Sequence, residues 1–397
     1  MEQQQQEGQA AAELCREWSS GAAWQQSRER EATLNSATPS LIRISAPIPG
    51  YGIVYCRKML WLLAIVVACS VLFTACWIWW MRPAPLLPTS QPVEIIESSW
   101  EPARNSTLVI VNGQIRGGIL CLKSLKRRIL DHYQADLALV IPYERENDEV
   151  VDWEMLARYV LKVREQEDWG PELSRINLGN TSWEILRPPS INQHWQFLGG
   201  VKNQTGSAGI LLAYRYYARV FLRAILEIEH YDWVIYVRSD YVYLCSPPPL
   251  LELNPHMIYV PHCENYGGIT DRFTIMTSEK ADIYLGITED LLHDGVFWRE
   301  LLTGHCAHNA NLECLLKLYL NHRGQEVDFF SPVSFTIRRD TDPTRWSTGM
   351  ESEVGRPFGF RLKYETEYIM ATETCREMLG SNVNYTEYLS EMLLPHR

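Results

Sequence analysis

Apolar and polar positions divide this chain into four stretches. Residues 1–58 open with MEQQQQEGQAAAE and show no sustained apolar periodicity, which predicts a mostly disordered tail. Residues 59–81, MLWLLAIVVACSVLFTACWIWWM, carry no charge over 23 positions. A helix rising about 1.5 Å per residue spans a hydrocarbon core of about 30 Å over that length. Trp77, Trp79 and Trp80 at its far end suit the headgroup layer. A buried core helix is usually shorter and amphipathic, and a signal peptide does not normally follow 58 polar residues. The run is therefore read as a transmembrane signal anchor. Residues 82–104 are proline-rich without a core pattern and read as a stem. Residues 105–397 form the body.

Within the body, Leu108–Val111 is a short apolar run, NGQIRGG a turn, and Ile119, Leu122, Leu125, Ile129 and Leu130 recur at helical spacing before the strand-like ADLALVI. Strand, loop, helix and strand in that order predict a βαβ unit on a parallel sheet. GSAGILLAYRYYARVFLRAILEIEHYD reads as a long helix feeding the strand Trp233–Val237, and HMIYVPH as another strand. NLECLLKLYLNHRG is a helix closed by Gly324, and VDFFSPVSFTIRR is strand-like. The alternation predicts one α/β domain with a mixed, mostly parallel sheet and flanking helices.

Charge and sequons add a topology. The formal net charge is −11, which argues against a phosphate backbone and hence against nucleic acid as partner. Arg57 and Lys58 abut the near end of the span, with Arg43 behind them, which favours a cytosolic N-terminus. The sequons at Asn105, Asn180, Asn203 and Asn384 all follow the span. A single-pass type II protein with a lumenal body is expected. Cys121, Cys245, Cys263, Cys306, Cys314 and Cys375 would then face an oxidising compartment, as disulfides or as buried thiols. Nothing in the pattern sets an oligomeric state.

Three loops carry polar groups that sheet packing does not require. In GQIRGG, Gly113 and Gly117 allow close backbone approach to a ligand, the following helix start favours an anion, and Arg116 can pair a phosphate. The bland reading is a tight turn with an exposed arginine. Arg238-Ser239-Asp240 ends the strand WVIYV. Strand ends are where α/β folds place ligands, and Asp240 there can hold a divalent metal or a sugar hydroxyl, or simply bridge to Arg238. In PHCENYGGITDRF, Glu264 and Asp271 flank Tyr266, Gly267 and Gly268. Either acid can take a proton from an attacking hydroxyl, and Tyr266 can stack on a sugar or base. The alternative is that Asp271 and Arg272 cap a helix. His262, Cys263, His305, Cys306 and His308 raise a zinc site, but their spacing matches no ordinary zinc motif.

Tail, anchor, stem and α/β body together resemble the layout of Golgi glycosyltransferases, and the body resembles the GT-A fold, a Rossmann-related fold of nucleotide-sugar-dependent transferases. The resemblance spans Thr107 to Tyr368 in outline. GQIRGG, RSDY, YGGITDR and TRWS are also similar to poorly characterised eukaryotic membrane proteins known only as transferase-like. It implies a nucleotide-sugar donor, a glycan, glycoprotein or glycolipid acceptor, and a divalent cation, manganese or magnesium, held by an Asp-x-Asp motif where RSDY stands. The departure is that Tyr241 and Val242 follow Asp240, so the second acid is missing. One carboxylate then suffices, or Asp271 or Glu264 supplies another, or no metal is used. A non-catalytic carbohydrate- or nucleotide-binding protein and a zinc hydrolase are the rival functions.

Overall fold

The computed structural model describes residues 106–143, 148–176, 208–262, 265–306, 311–339, 359–379 and 387–390. The expected tail, anchor and stem lie outside these residues, as do Glu264, Cys263, the four sequon asparagines and TRWS. Among the described residues no helix is long and apolar enough to cross a membrane.

The chain opens with strand β1 (Thr107–Asn112), helix α1 (Gly118–Leu125), which continues through a π-type segment to Tyr133, and β2 (Asp136–Pro142). Next come α2 (Asp148–Leu156), β3 (Tyr159–Val163), α3 (Gly170–Ile176), the long α4 (Ala208–Ile228) and β4 (Trp233–Val237). β5 (Tyr241–Tyr243), β6 (Met257–Pro261) and β7 (Phe273–Thr277) lead to α5 (Ser278–Leu285), α6 (Ile287–His293), α7 (Gly295–His305) and α8 (Leu312–His322). β8 (Glu326–Phe330), β9 (Ser334–Arg339), β10 (Phe360–Leu362) and α9 (Glu365–Leu379) follow.

Seven strands form one mixed sheet in the order β3-β2-β1-β4-β7-β6-β8. β3, β2, β1 and β4 run parallel, as do β6 and β8, while β7 is antiparallel to both of its neighbours. This is the expected α/β, Rossmann-like architecture. Every residue of β1 and β2 is buried, the pattern of strands covered on both faces. Leu108, Ile110, Val234 and Tyr236 face a core shared with Tyr214 and Phe221 of α4. Val109, Val111, Ile235 and Val237 face the other core, with Leu120 and Leu125 of α1. That second core also holds a small antiparallel sheet, β10-β9-β5.

Two expectations change. VDFFSPVSFTIRR is not one strand: it breaks at Ser331–Val333 into β8 of the large sheet and β9 of the small one. Pro332 has no N–H to give a ladder, so pairing stops there. Asp271 and Arg272 precede a strand, β7, and do not cap a helix.

Among the described residues two disulfides form, Cys245–Cys375 and Cys306–Cys314, while Cys121 is a buried thiol. Cys306 is thereby removed from the zinc set considered above. His262 instead lies stacked on Phe329, with ring centroids 4.9 Å apart.

Candidate functional site

β1 and β4 are parallel neighbours, yet the chain leaves β1 toward β2 on one side and β4 toward β7 on the other. Their carboxyl ends therefore flank a topological switch point, where open α/β sheets hold ligands. The loops after the two strands are tied together. The Arg116 backbone N–H donates to the Ser239 hydroxyl at 3.0 Å, and that hydroxyl donates to the Gln114 carbonyl at 2.7 Å. The Arg116 guanidinium bonds Gln114 Oε1, and Gln114 in turn donates to Glu165 at 2.7 Å. Gly117 has φ +78°, and a Cβ there would meet Cys121 Sγ at 2.4 Å, so the turn into α1 needs glycine.

Asp240 is 1% exposed. Arg238 grips it with two bonds, Nε to Oδ1 at 3.2 Å and Nη2 to Oδ2 at 3.0 Å, and Arg338 of β9 also bonds Oδ2. Burial alone would raise the Asp240 pKa, but Arg238, Arg338 and Lys363 outweigh it and hold the carboxyl well below the usual range. Arg272, beginning β7, is spoken for by a different acid. Its Nη1 donates to Glu367 at 2.8 Å and its Nη2 to the Tyr364 hydroxyl at 3.1 Å, with the guanidinium 4.6 Å from the Tyr364 ring centre. The second Glu367 oxygen accepts the Thr336 N–H at 2.7 Å, so α9 is locked onto β9.

Asp271 is buried, and its carboxylate accepts no hydrogen bond among the described residues. Only its backbone carbonyl is engaged, by Arg215 Nη2 at 3.4 Å. Arg215 is itself fully buried over Tyr284 and Tyr236, with Nε and Nη1 unsatisfied among the described residues. Close to Asp271 stands Glu313, in the first turn of α8. Burial first, and the Asp271 charge second, push the Glu313 pKa up to about 7.

The Tyr266–Thr270 loop lies directly on that turn of α8. The Ile269 N–H donates to the Glu313 carbonyl at 3.0 Å, and Asn311 Nδ2 to the Tyr266 carbonyl at 3.0 Å. A Cβ on Gly268 would fall 1.9 Å from the Glu313 carbonyl oxygen, so only glycine permits the approach. Tyr266 holds φ +43° and is 42% exposed, presenting its ring at the rim. Asn311 caps α8 by accepting from the Cys314 N–H at 2.7 Å, and the Cys306–Cys314 disulfide pins the same turn.

Gly113, Arg116, Gly117, Arg238, Asp240 and Asp271 thus come to one end of the sheet, and Tyr266, Gly267 and Gly268 frame it. Arg215, Glu313, Arg338, Lys363 and Glu367 join them without having been singled out in the sequence. The inward-facing arginine in the apolar stripe of α4 was the one readable signal among these. Asp240 was the residue expected to hold a metal. Both its oxygens are taken by guanidinium groups, and among the described residues no group of three His, Cys, Asp or Glu side chains is arranged to hold a metal ion. The donor set around Asp240 does not fit a divalent cation.

The fold and site define an α/β protein with a buried charged cluster at the switch point of its sheet, basic around Asp240 and acidic at Asp271 and Glu313. No protein-family model matches the chain, and a search of curated proteins finds no match. Among solved structures, the chain is similar to the glycosyltransferase GlyE of Streptococcus pneumoniae TIGR4, with 12% sequence identity and a TM-score of 0.29. The likeness covers 57% of this chain and 45% of that one. A likeness of that size carries no functional argument.

Proposed function

We propose that residues 105–397 are a glycosyltransferase domain of GT-A type, moving a sugar from a nucleotide-sugar donor to a glycan, glycoprotein or glycolipid acceptor. The observation that carries this reading is the meeting, at one switch point, of the hydrogen-bonded Gln114–Arg116 and Arg238–Asp240 loops with a buried carboxylate, Asp271, that no hydrogen bond engages among the described residues. In this reading the basic half seats the donor diphosphate. Asp271, paired electrostatically with Glu313, takes the proton of the acceptor hydroxyl as that oxygen bonds the anomeric carbon. The bond from that carbon to the phosphate oxygen breaks, and its electron pair leaves with the nucleoside diphosphate.

A secretory, Golgi-type setting with the body in the lumen belongs to the same proposal. The uncharged run 59–81 and the sequons after it support this, as do two disulfides, which persist in oxidising compartments. Protease protection and glycosidase shifts in microsomes test the topology.

The activity is tested by incubating the purified full chain with a panel of nucleotide sugars and mixed acceptors, with and without manganese. Release of nucleoside diphosphate together with a mass gain on an acceptor is expected. Donor binding without turnover would make the protein a lumenal binding module, and no binding of any donor would remove the reading.

A further inference from the structure

Lys363 follows directly on β10, and its backbone N–H donates to the Thr336 carbonyl at 2.9 Å. Its side chain runs inward, and the residue is only 8% exposed. The ammonium lies 4.7 Å from the Tyr364 ring centre and forms no ion pair with a carboxylate among the described residues. Arg238 and Arg338 stand beside it, and they share one acid, Asp240. The nearby Arg272 is already neutralised by Glu367 at 2.8 Å.

Three cationic groups therefore surround a single carboxylate. Buried surplus charge is costly unless something matches it. Asp271 acts on Arg238 and Arg272 through space, and both arginines act on Glu313, without ion-pair contact among the described residues. The cluster also has an open side, because the Arg238 side chain keeps 19% exposure while Arg338 keeps 5%.

A divalent cation placed at Asp240 would have to displace a guanidinium and then sit among the remaining cations. An anion would meet the opposite situation: two guanidinium groups already held in place by Asp240 and an ammonium beside them, with no ion to recruit. We propose that Arg238, Arg338 and Lys363 form a cradle for the diphosphate of a nucleotide donor, and that donor binding at this site needs no divalent cation. The proposal rests on the glycosyltransferase reading and deepens it. Asp240 holds the two arginines in place and is not a metal ligand. When the donor bond breaks, the charge arriving on the diphosphate is met by fixed cations that need no reorganisation. One further feature fits: burial, then Arg238 and Arg272, push the Lys363 pKa down to about 7, as expected where positive charge is in excess.

The test is calorimetric titration of the full chain with UDP, GDP and inorganic diphosphate, in EDTA and in manganese. Binding of at least one nucleotide with the same affinity in both buffers is expected. Lys363→Gln should then weaken it by about tenfold or more, the loss of one charge-assisted bond, while Lys363→Arg largely retains it. Thermal melts establish that each variant is folded, and the comparison of buffers on the parent chain stands without any variant. Binding that appears only with manganese overturns the cradle but leaves the transferase reading intact. Equal binding by the parent and Lys363→Gln in EDTA puts the anion elsewhere and also overturns it. If neither the diphosphates nor any intact nucleotide sugar binds in either buffer, both readings fall.

Discussion

Replacing Asp240 by asparagine tests the charge logic of the site through stability. The substitution keeps the side-chain shape and removes the one negative charge between Arg238 and Arg338. Arg338 is 5% exposed, so it cannot recover its hydration in place; Arg238, at 19%, can do so in part. Breaking a buried pair by deleting one partner destabilises by about 3–5 kcal/mol. With one of the two arginines partly wet, the lower end, about 3 kcal/mol, is the expectation here. For a domain of this size that lowers Tm by about 6–12 °C. The pH dependence follows from the depressed pKa of Asp240 in the fold. Its contribution is fully present above the unfolded value near 3.8 and is lost as pH falls through the folded value. Parent and variant should therefore differ most above about pH 5, where the Asp240 carboxylate is charged in both states, and converge in stronger acid. Urea or thermal unfolding followed by circular dichroism measures both effects. A second substitution, Arg338→Met, should recover part of the loss, because it removes one of the orphaned charges. An Asp240→Asn protein as stable as the parent at pH 7 would show that the pair is not buried as described, and the argument against a metal at Asp240 would lose its footing.

Three further outcomes are expected. Asp271→Asn removes the like charge that helps raise Glu313 to about 7, so the acid limb of the kcat/KM profile should move to lower pH while the rate falls by about 10²–10⁴-fold; a profile with an unmoved limb would separate the two acids. Gly268→Ala places a methyl 1.9 Å from the Glu313 carbonyl oxygen, a backbone atom that cannot step aside, so a loss of about 1–3 kcal/mol or more is expected in denaturant unfolding, whereas Gly267→Ala meets no atom within 4 Å and strains only its φ of +83°. Opening the Cys245–Cys375 link by a double serine substitution frees a loop with a separation of 130 residues and should destabilise by about 4–5 kcal/mol on chain entropy, read against the parent in non-reducing thermal melts.

How much of this was legible varies with the element. β1, β2 and β4 read directly from the sequence, because strands buried on both faces carry near-continuous apolar runs, here Leu108–Val111, Leu137–Ile141 and Trp233–Val237. Gly113–Gly117 and Arg238–Asp240 were each legible as loops following a buried strand, but that β1 and β4 are direct neighbours was not. β7 was not legible. Its FTIMT, with Ile275 and Met276 adjacent, shows no clean alternation, and nothing local tells whether such a strand runs up or down between β4 and β6. Pro332 marked a break, but not that the halves on either side of it enter different sheets.

The sequence by itself determined the uncharged apolar run at 59–81, the α/β alternation, and the acid at the end of a buried strand. These depend on composition and on periods of two and 3.6 residues, which are local. That this acid is gripped by a pair of arginines came only with tertiary structure. Arg238 lies two residues from Asp240 and offered a bridge, but Arg338 lies 98 residues away and arrives through the antiparallel pairing of β5 with β9. Glu313 likewise reaches Asp271 because a glycine lets one loop rest on the first turn of α8. Charges shift one another through space, not along the chain, so the character of the cluster depends on register and sheet packing that no local pattern encodes.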